Sequence, residues 1–257
     1  QTNKIVCLIH TLFQVSPNKD LISLNQDPLG KQAYVVDRQG GAYILVKDIE
    51  KENGTVRAVA LYNPEDTPRN VVMRFSDIDL GGKVSLRDLM LKKDIGTFTD
   101  SVSVSVPAHG VKVYRAKARI RNERRIYEAE TAYLTAYQEL YNPLAVGTPV
   151  MEKDDRCSGS IKISNLGSSP RNDLQWRNVY SRNGGQYIAT LDIVSDSEME
   201  FIVRVNNTQG KKIKVGKSND VQSVNVNVTL NPGNNTVRLV NDRGRMPSID
   251  RMTLRPY

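Results

Sequence analysis

Cysteine and histidine are scarce, with two of each in 257 residues, and there is one tryptophan. Cys7 and Cys157 lie far apart and neither has a partner at metal-ligand spacing. Nothing in their spacing points to a thiolate metal site, and both read as small buried hydrophobes rather than a disulfide. Long apolar runs are also absent. None approaches the ~20 residues of a membrane-spanning helix. The longest, Ile5 to Phe13, is broken by His10 and lacks the small-residue pattern of a leader cleavage site. The chain opens on Gln1 rather than Met, as a cleaved leader or a cloning boundary would leave it. Acidic residues are outnumbered, 28 against 36 Lys and Arg, giving a net charge of +8. Such a balance attracts nucleic acid or anionic surfaces. Here the charge is dispersed, and its one cluster, Lys117, Arg119, Arg121, Arg124 and Arg125, falls where a domain boundary is expected. No nucleic-acid motif stands beside it, so no nucleic-acid partner is expected.

What is present is a β texture long enough for two domains, each with its own core. Helical signal is confined to the first thirty residues. Ser16-Pro17-Asn18-Lys19-Asp20 reads as a cap and first turn, and Asp27-Pro28-Leu29-Gly30 as a stop. Short strands follow at Ala42–Val46, Thr55–Tyr62, Asn70–Phe75, Ser101–Val106 and Val111–Tyr114, with a hairpin signal at Asn53-Gly54. Ser101 to Val106 alternates with strict period two, the mark of a half-buried strand. Residues 118–125 are charged and read as a linker. A second block of short strands runs from Ile126 to Leu254, with turns at Asn183-Gly184-Gly185, Asn231-Pro232-Gly233-Asn234 and Asp242-Arg243-Gly244. This spacing predicts a sandwich or jelly roll.

Several segments resemble known families. Asn18 to Gln32 is similar to the barrel-to-sandwich junction of family 27 glycoside hydrolases, the α-galactosidase or melibiase family. Thr55 to Asn63 resembles a strand of that family's C-terminal sandwich. Arg87-Asp88-Leu89-Met90 through Asp94-Ile95-Gly96 resembles its "RDLW…KDLG" segment, with Met90 where Trp is usual. Val106-Pro107-Ala108-His109-Gly110-Val111 matches its closing "VPAHGV". The second block resembles carbohydrate-binding modules of the family 6 and 35 group. Tyr127-Glu128-Ala129-Glu130 matches the opening "YEAE". Cys157-Ser158-Gly159, Gly185–Leu191, Asn231–Leu239 and Asn241–Met252 follow in the family's order.

The resemblance implies an all-β chain: an antiparallel Greek-key β-sandwich, then a β-jelly-roll, with a short N-terminal helix. Residues 1–30 would be a junction remnant, 31–117 the sandwich, and 126–257 the carbohydrate-binding module. The parent family's chemistry needs two carboxylates about 5–5.5 Å apart. In the family these are aspartates on strands of a (β/α)₈ barrel, a fold of about 250 residues. No such barrel is legible here, so no catalytic residue is carried over and the chain alone is expected not to be an enzyme. Asp88 and His109 occupy structural positions of the family. The implied function is a non-catalytic glycan-attachment fragment of an α-galactosidase-like hydrolase, secreted, periplasmic or at the cell surface. Its partners would be an oligo- or polysaccharide bearing galactose or arabinose, and a catalytic barrel. The alternatives are a structural or protein-interaction pair of β-domains without sugar affinity, and the tail of an active α-galactosidase.

Within the second block, Glu128 and Glu130 stand two apart on an expected strand and so share one face. Two such carboxylates repel unless neutralised. A structural calcium ion, which takes oxygen ligands, would do so. The resemblance adds Asp250 as a third ligand, with backbone oxygens from Met151–Asp155, while Ser248 stands where relatives often have Asp. Sugar binding needs an aromatic face and polar groups for the hydroxyls. Tyr133, Tyr137 and Tyr141 are candidates for one wall, with Asp173 and Asn241 as polar contacts. Trp176 and Tyr187 read as core. Residues 217–223 lack the aromatic that relatives often place there.

Overall fold

A computed structural model describes residues 18–51, 53–138 and 148–257. The chain divides into two compact units, residues 1–122 and 123–257.

The first unit opens with helix α1 (Lys19–Asn25). Asn18 caps it, its side-chain oxygen accepting from the amides of Asp20 and Leu21. The same side chain donates to the Leu89 carbonyl at 2.7 Å, which ties the helix to the sheet. Eight strands follow: β1 (Tyr34–Gln39), β2 (Ala42–Asp48), β3 (Val56–Tyr62), β4 (Arg69–Arg74), β5 (Leu80–Asp88), β6 (Lys93–Thr99), β7 (Ser101–Val106) and β8 (Val111–Arg121). Six form a sheet in the order β1-β2-β3-β8-β5-β6, and β4 pairs with β7. All pairings are antiparallel, and the non-consecutive neighbours β3-β8-β5 give the Greek-key crossovers. Inward residues at period two, such as Ile44 and Val46, Val59 and Leu61, Val71 and Met73, fill one core. Strand β8 runs through Arg121, so the charged stretch read as a linker from residue 118 is half strand. Tyr114, Ala116 and Ala118 continue the buried alternation beneath exposed Lys117 and Arg119.

The second unit contains β9 (Ile126–Glu128), β10 (Tyr133–Leu134), helix α2 (Thr135–Gln138), β11 (Val150–Lys153), β12 (Ile161–Ser164), β13 (Leu174–Ser181), β14 (Gly185–Val194), β15 (Met199–Val205), β16 (Lys211–Val215), β17 (Gln222–Leu230), β18 (Gly233–Val240) and β19 (Ser248–Pro256). Two antiparallel sheets enclose the core. One runs β10-β13-β18-β15-β16. The other runs β11-β12-β19-β14-β17, with β9 also on β19. Between them lie Trp176, Phe201, Leu191, Ile249, Met252 and their neighbours, the arrangement of a jelly-roll sandwich. The strand expected from Ile126 to Ala132 stops at Glu128. Residues Ala129–Thr131 turn into a 3-10 helix that buries Ala129.

Candidate functional site

The acidic site is built where β9 meets β19. Their ladder sets Glu128 opposite Arg251, which brings Asp250 and Glu128 to the same end of the sheet. The chain from Cys157 to Ser160 closes over them as a second 3-10 turn, which Gly159 allows by taking a positive φ of 59°. Ser158 joins the two carboxylates. Its amide donates to Asp250 Oδ1 at 2.9 Å, and its hydroxyl donates to Glu128 Oε1 at 3.0 Å. Trp176 Nε1 donates to the Glu128 carbonyl at 3.0 Å and fixes the backbone.

Glu130 does not extend the strand face with Glu128, because the chain has turned. Its Oε1 instead lies against Gly159, 3.6 Å from where a Cβ would stand. The three acidic residues thus approach the same turn from different directions. Asp250 is buried, and burial pushes its carboxyl pKa up to about 6, helped by the neighbouring charge of Glu128; the Ser158 amide opposes the rise. Glu128 Oε2 is buried and has no hydrogen-bond partner. Buried, oxygen-only, under-compensated negative charge is the chemistry that a hard divalent cation satisfies. Among the described residues, however, no three His, Cys, Asp or Glu side chains gather at metal-ligand spacing. A cation here would need backbone or solvent oxygens as well. Asp154, in the expected backbone-donor segment, has its carboxylate occupied by Arg156 and Lys162, which hold it well below the usual carboxylate range.

The expected sugar contacts that the structure describes are largely engaged in local structure. Tyr133 and Asp173 belong to the β10-β13-β18 region. The Tyr133 ring is covered by the Arg177 guanidinium, 3.3 Å from its centroid. Asp173 is fully buried, where Oδ2 accepts from Gln175 at 2.9 Å and pairs with Arg238, while Oδ1 has no hydrogen-bond partner. Asn241 organises the turn after β18. Its Oδ1 accepts from the amides of Arg243 and Gly244, and its Nδ2 donates to the Glu200 carbonyl at 2.8 Å. Tyr137 lies in α2, and Tyr141 lies outside the described residues. Trp176 and Tyr187 are buried, as their strand positions imply. Ser158, the residue that joins the two carboxylates, was not expected. Its only sequence signal is its place in Cys157-Ser158-Gly159.

In the first unit, Asp88 and His109 play the local roles their positions imply. Asp88 Oδ1 accepts from the amides of Met90 and Leu91 and shapes the β5–β6 hairpin. His109 sits in a turn at a φ of 50°, 2.8 Å from exposed Asp66.

Comparison with known proteins gives a family match to the α-galactosidase C-terminal β-sandwich domain over residues 39–116. A Dictyostelium discoideum relative named as an α-galactosidase is 32% identical over 95 residues, covering 35% of this chain. The chain spans 24% of that relative's length. Among solved structures, the isomalto-dextranase of Arthrobacter globiformis, complexed with panose, covers 92% of this chain and 42% of its own at 15% identity, with a TM-score of 0.53. A family 35 carbohydrate-binding module from Clostridium thermocellum covers 50% of this chain and 96% of its own at 25% identity, with a TM-score of 0.44. The first supports the fold of both units, a sandwich and a jelly roll. Residues 39–116 therefore match the α-galactosidase C-terminal β-sandwich domain, and a jelly-roll unit follows in the same chain.

Proposed function

We propose that this chain is an accessory, carbohydrate-binding part of an α-galactosidase-like glycoside hydrolase, acting by holding a catalytic barrel near its polysaccharide. The observation that carries this is the α-galactosidase C-terminal domain match over residues 39–116. The motif order of residues 126–257, which resembles family 6 and 35 carbohydrate-binding modules, supports the binding half. The gain from such attachment is effective concentration, obtained without any new catalytic contact. The hydrolysis itself is assigned to the barrel of the parent protein. Secretion, or display at the cell surface, follows from the same reading.

A structural calcium ion belongs to this proposal. Glu128 and Asp250, with Glu130 at the same turn, would hold it, and it would add positive charge where the nearby Arg251 is already paired with Asp192. Its role is to fix the 158–160 turn and the neighbouring loops, not to react.

The test is a glycan panel probed with the purified chain, in calcium and again with a chelator. Binding to galactose- or arabinose-bearing glycans that chelation weakens supports the proposal. A folded chain that binds no glycan in either condition points to a purely structural pair of domains. The filled roles of Asn241 and the covered face of Tyr133 favour that second reading.

A further inference from the structure

We propose that the outward face of the sheet β10-β13-β18-β15-β16 is a docking surface for an acidic polysaccharide chain, held by Arg177 and Arg204. The inference rests on the carbohydrate-binding reading of the second unit but places contacts away from the acidic turn around Ser158.

Strand register creates the surface. Tyr133 lies opposite Gln175, Gln175 opposite Arg238, and Arg238 opposite Arg204. These four residues form one row across four neighbouring strands, a span of about 14 Å, enough for a short oligosaccharide. Arg177 stands two residues beyond Gln175 on the same face of β13, and Lys212 and Lys214 extend the face on β16. Five cationic side chains, Arg177, Arg204, Arg238, Lys212 and Lys214, thus share a face with the carboxylates of Asp173 and Glu200. Those two are taken: Asp173 by Arg238, and Glu200 by Lys212 at 2.8 Å.

Arg177 and Arg204 have no carboxylate partner among the described residues. Two details show that the fold bears a cost to keep Arg204. Arg204 and Arg238 are directly opposed like charges on adjacent strands, an arrangement that destabilises a sheet. Arg204 Nε is buried without a hydrogen-bond partner, its stem crossing Gly210, where a Cβ would come within 2.6 Å of Arg204 Cγ. Arg177 is pre-positioned, its Nε donating to Gln175 Oε1 at 3.0 Å and its plane resting on Tyr133. Planar guanidinium forks suit the bidentate recognition of carboxylate or sulfate groups, and the Thr236 hydroxyl beside them suits a sugar hydroxyl. The Tyr133 ring is already covered by Arg177, which removes it as a stacking platform for a nucleic-acid base. An acidic glycan is thus favoured over a nucleic acid.

The experiment is native affinity electrophoresis of the full chain in gels containing polygalacturonate, dextran sulfate or neutral dextran, with a DNA mobility shift run in parallel. The double variant Arg177→Gln with Arg204→Gln is compared with Lys117→Gln plus Arg119→Gln, which removes the same charge from exposed positions on β8. We expect at least one acidic polysaccharide to retard the chain. The sheet variant should weaken that binding by about tenfold or more, while the β8 variant stays near wild type. Whether polygalacturonate or dextran sulfate retards it more tells carboxylate from sulfate. Equal loss in both variants, DNA binding of equal strength, or no retardation by either polyanion would overturn the proposal. If neutral glycans on the panel still bind in that last case, the accessory function stands and only this surface falls. Should the double variant not fold, Arg177→Gln alone, at an exposed position, keeps the test decisive.

Discussion

Each unit holds an acidic site beneath its surface, and the two sites are compensated differently. In the first, Asp48 and Asp79 are 4% and 5% exposed and share one arginine, Arg57, itself 1% exposed. Arg57 pairs with both, and Lys31 adds a second cation to Asp48 at 3.1 Å. In the second, Glu128 and Asp250 receive a serine amide and a serine hydroxyl, which are dipoles and not charges. The Asp48–Asp79 site is thus compensated by cations from the same unit. Glu128 and Asp250 form no ion pair among the described residues, and the nearby Arg251 is paired with Asp192. A buried ion pair gives little net stability, but removing one partner is costly. The two sites should therefore respond with opposite sign to loss of a charge.

The largest effect is expected at the Asp48–Asp79 site. Arg57→Met removes the cation that two buried carboxylates share and should destabilise the first unit by about 3–5 kcal/mol, read from denaturant unfolding. At the Glu128–Asp250 site, Glu128→Gln should do the reverse in chelator. Removing the half-buried charge beside buried Asp250 should stabilise the second unit by about 1 kcal/mol, and the response to calcium should disappear. A destabilised second unit would mean that Glu128 is already satisfied.

The pH dependence sharpens the same contrast. Asp250 has a raised folded pKa of about 6, so the folded state holds its proton over a range where the unfolded chain releases it. Its contribution to stability is therefore greatest below the ordinary carboxylate pKa. It declines as pH rises toward 6 and is lost above that. In chelator, the melting temperature of the second unit in wild type should fall from pH 4 to pH 7 relative to Asp250→Asn. Parallel profiles for the two proteins would contradict this.

The smallest effect concerns Asn241. Losing its turn hydrogen bonds in Asn241→Ala should cost about 1 kcal/mol of stability. Glycan binding measured below the melting transition should persist, whereas its complete loss would make Asn241 a ligand contact.

The fold was largely legible because its strands advertise themselves. Ser101 to Val106 alternates cleanly, and the observed strand has those bounds. Strand β5 was hidden because Gly81 and Gly82 interrupt its apolar pattern where the ladder to β8 is irregular. The end of β8 was hidden because its inward positions are alanines beneath arginines and lysines, which read as a charged linker. The site was legible only in part. Glu128 and Asp250 could be paired through family order, but spacing alone misplaced Glu130, since period two fails once the chain turns into a 3-10 helix. The row of arginines on the outer sheet face depends on a three-strand register that no local pattern encodes.

Scanning calorimetry of the chain in calcium and in chelator tests the central contrast most directly. The account predicts that calcium raises the transition of the second unit, leaves that of the first unchanged, and has no effect in Glu128→Gln. A calcium response that survives Glu128→Gln, or no response in the wild type, would contradict it.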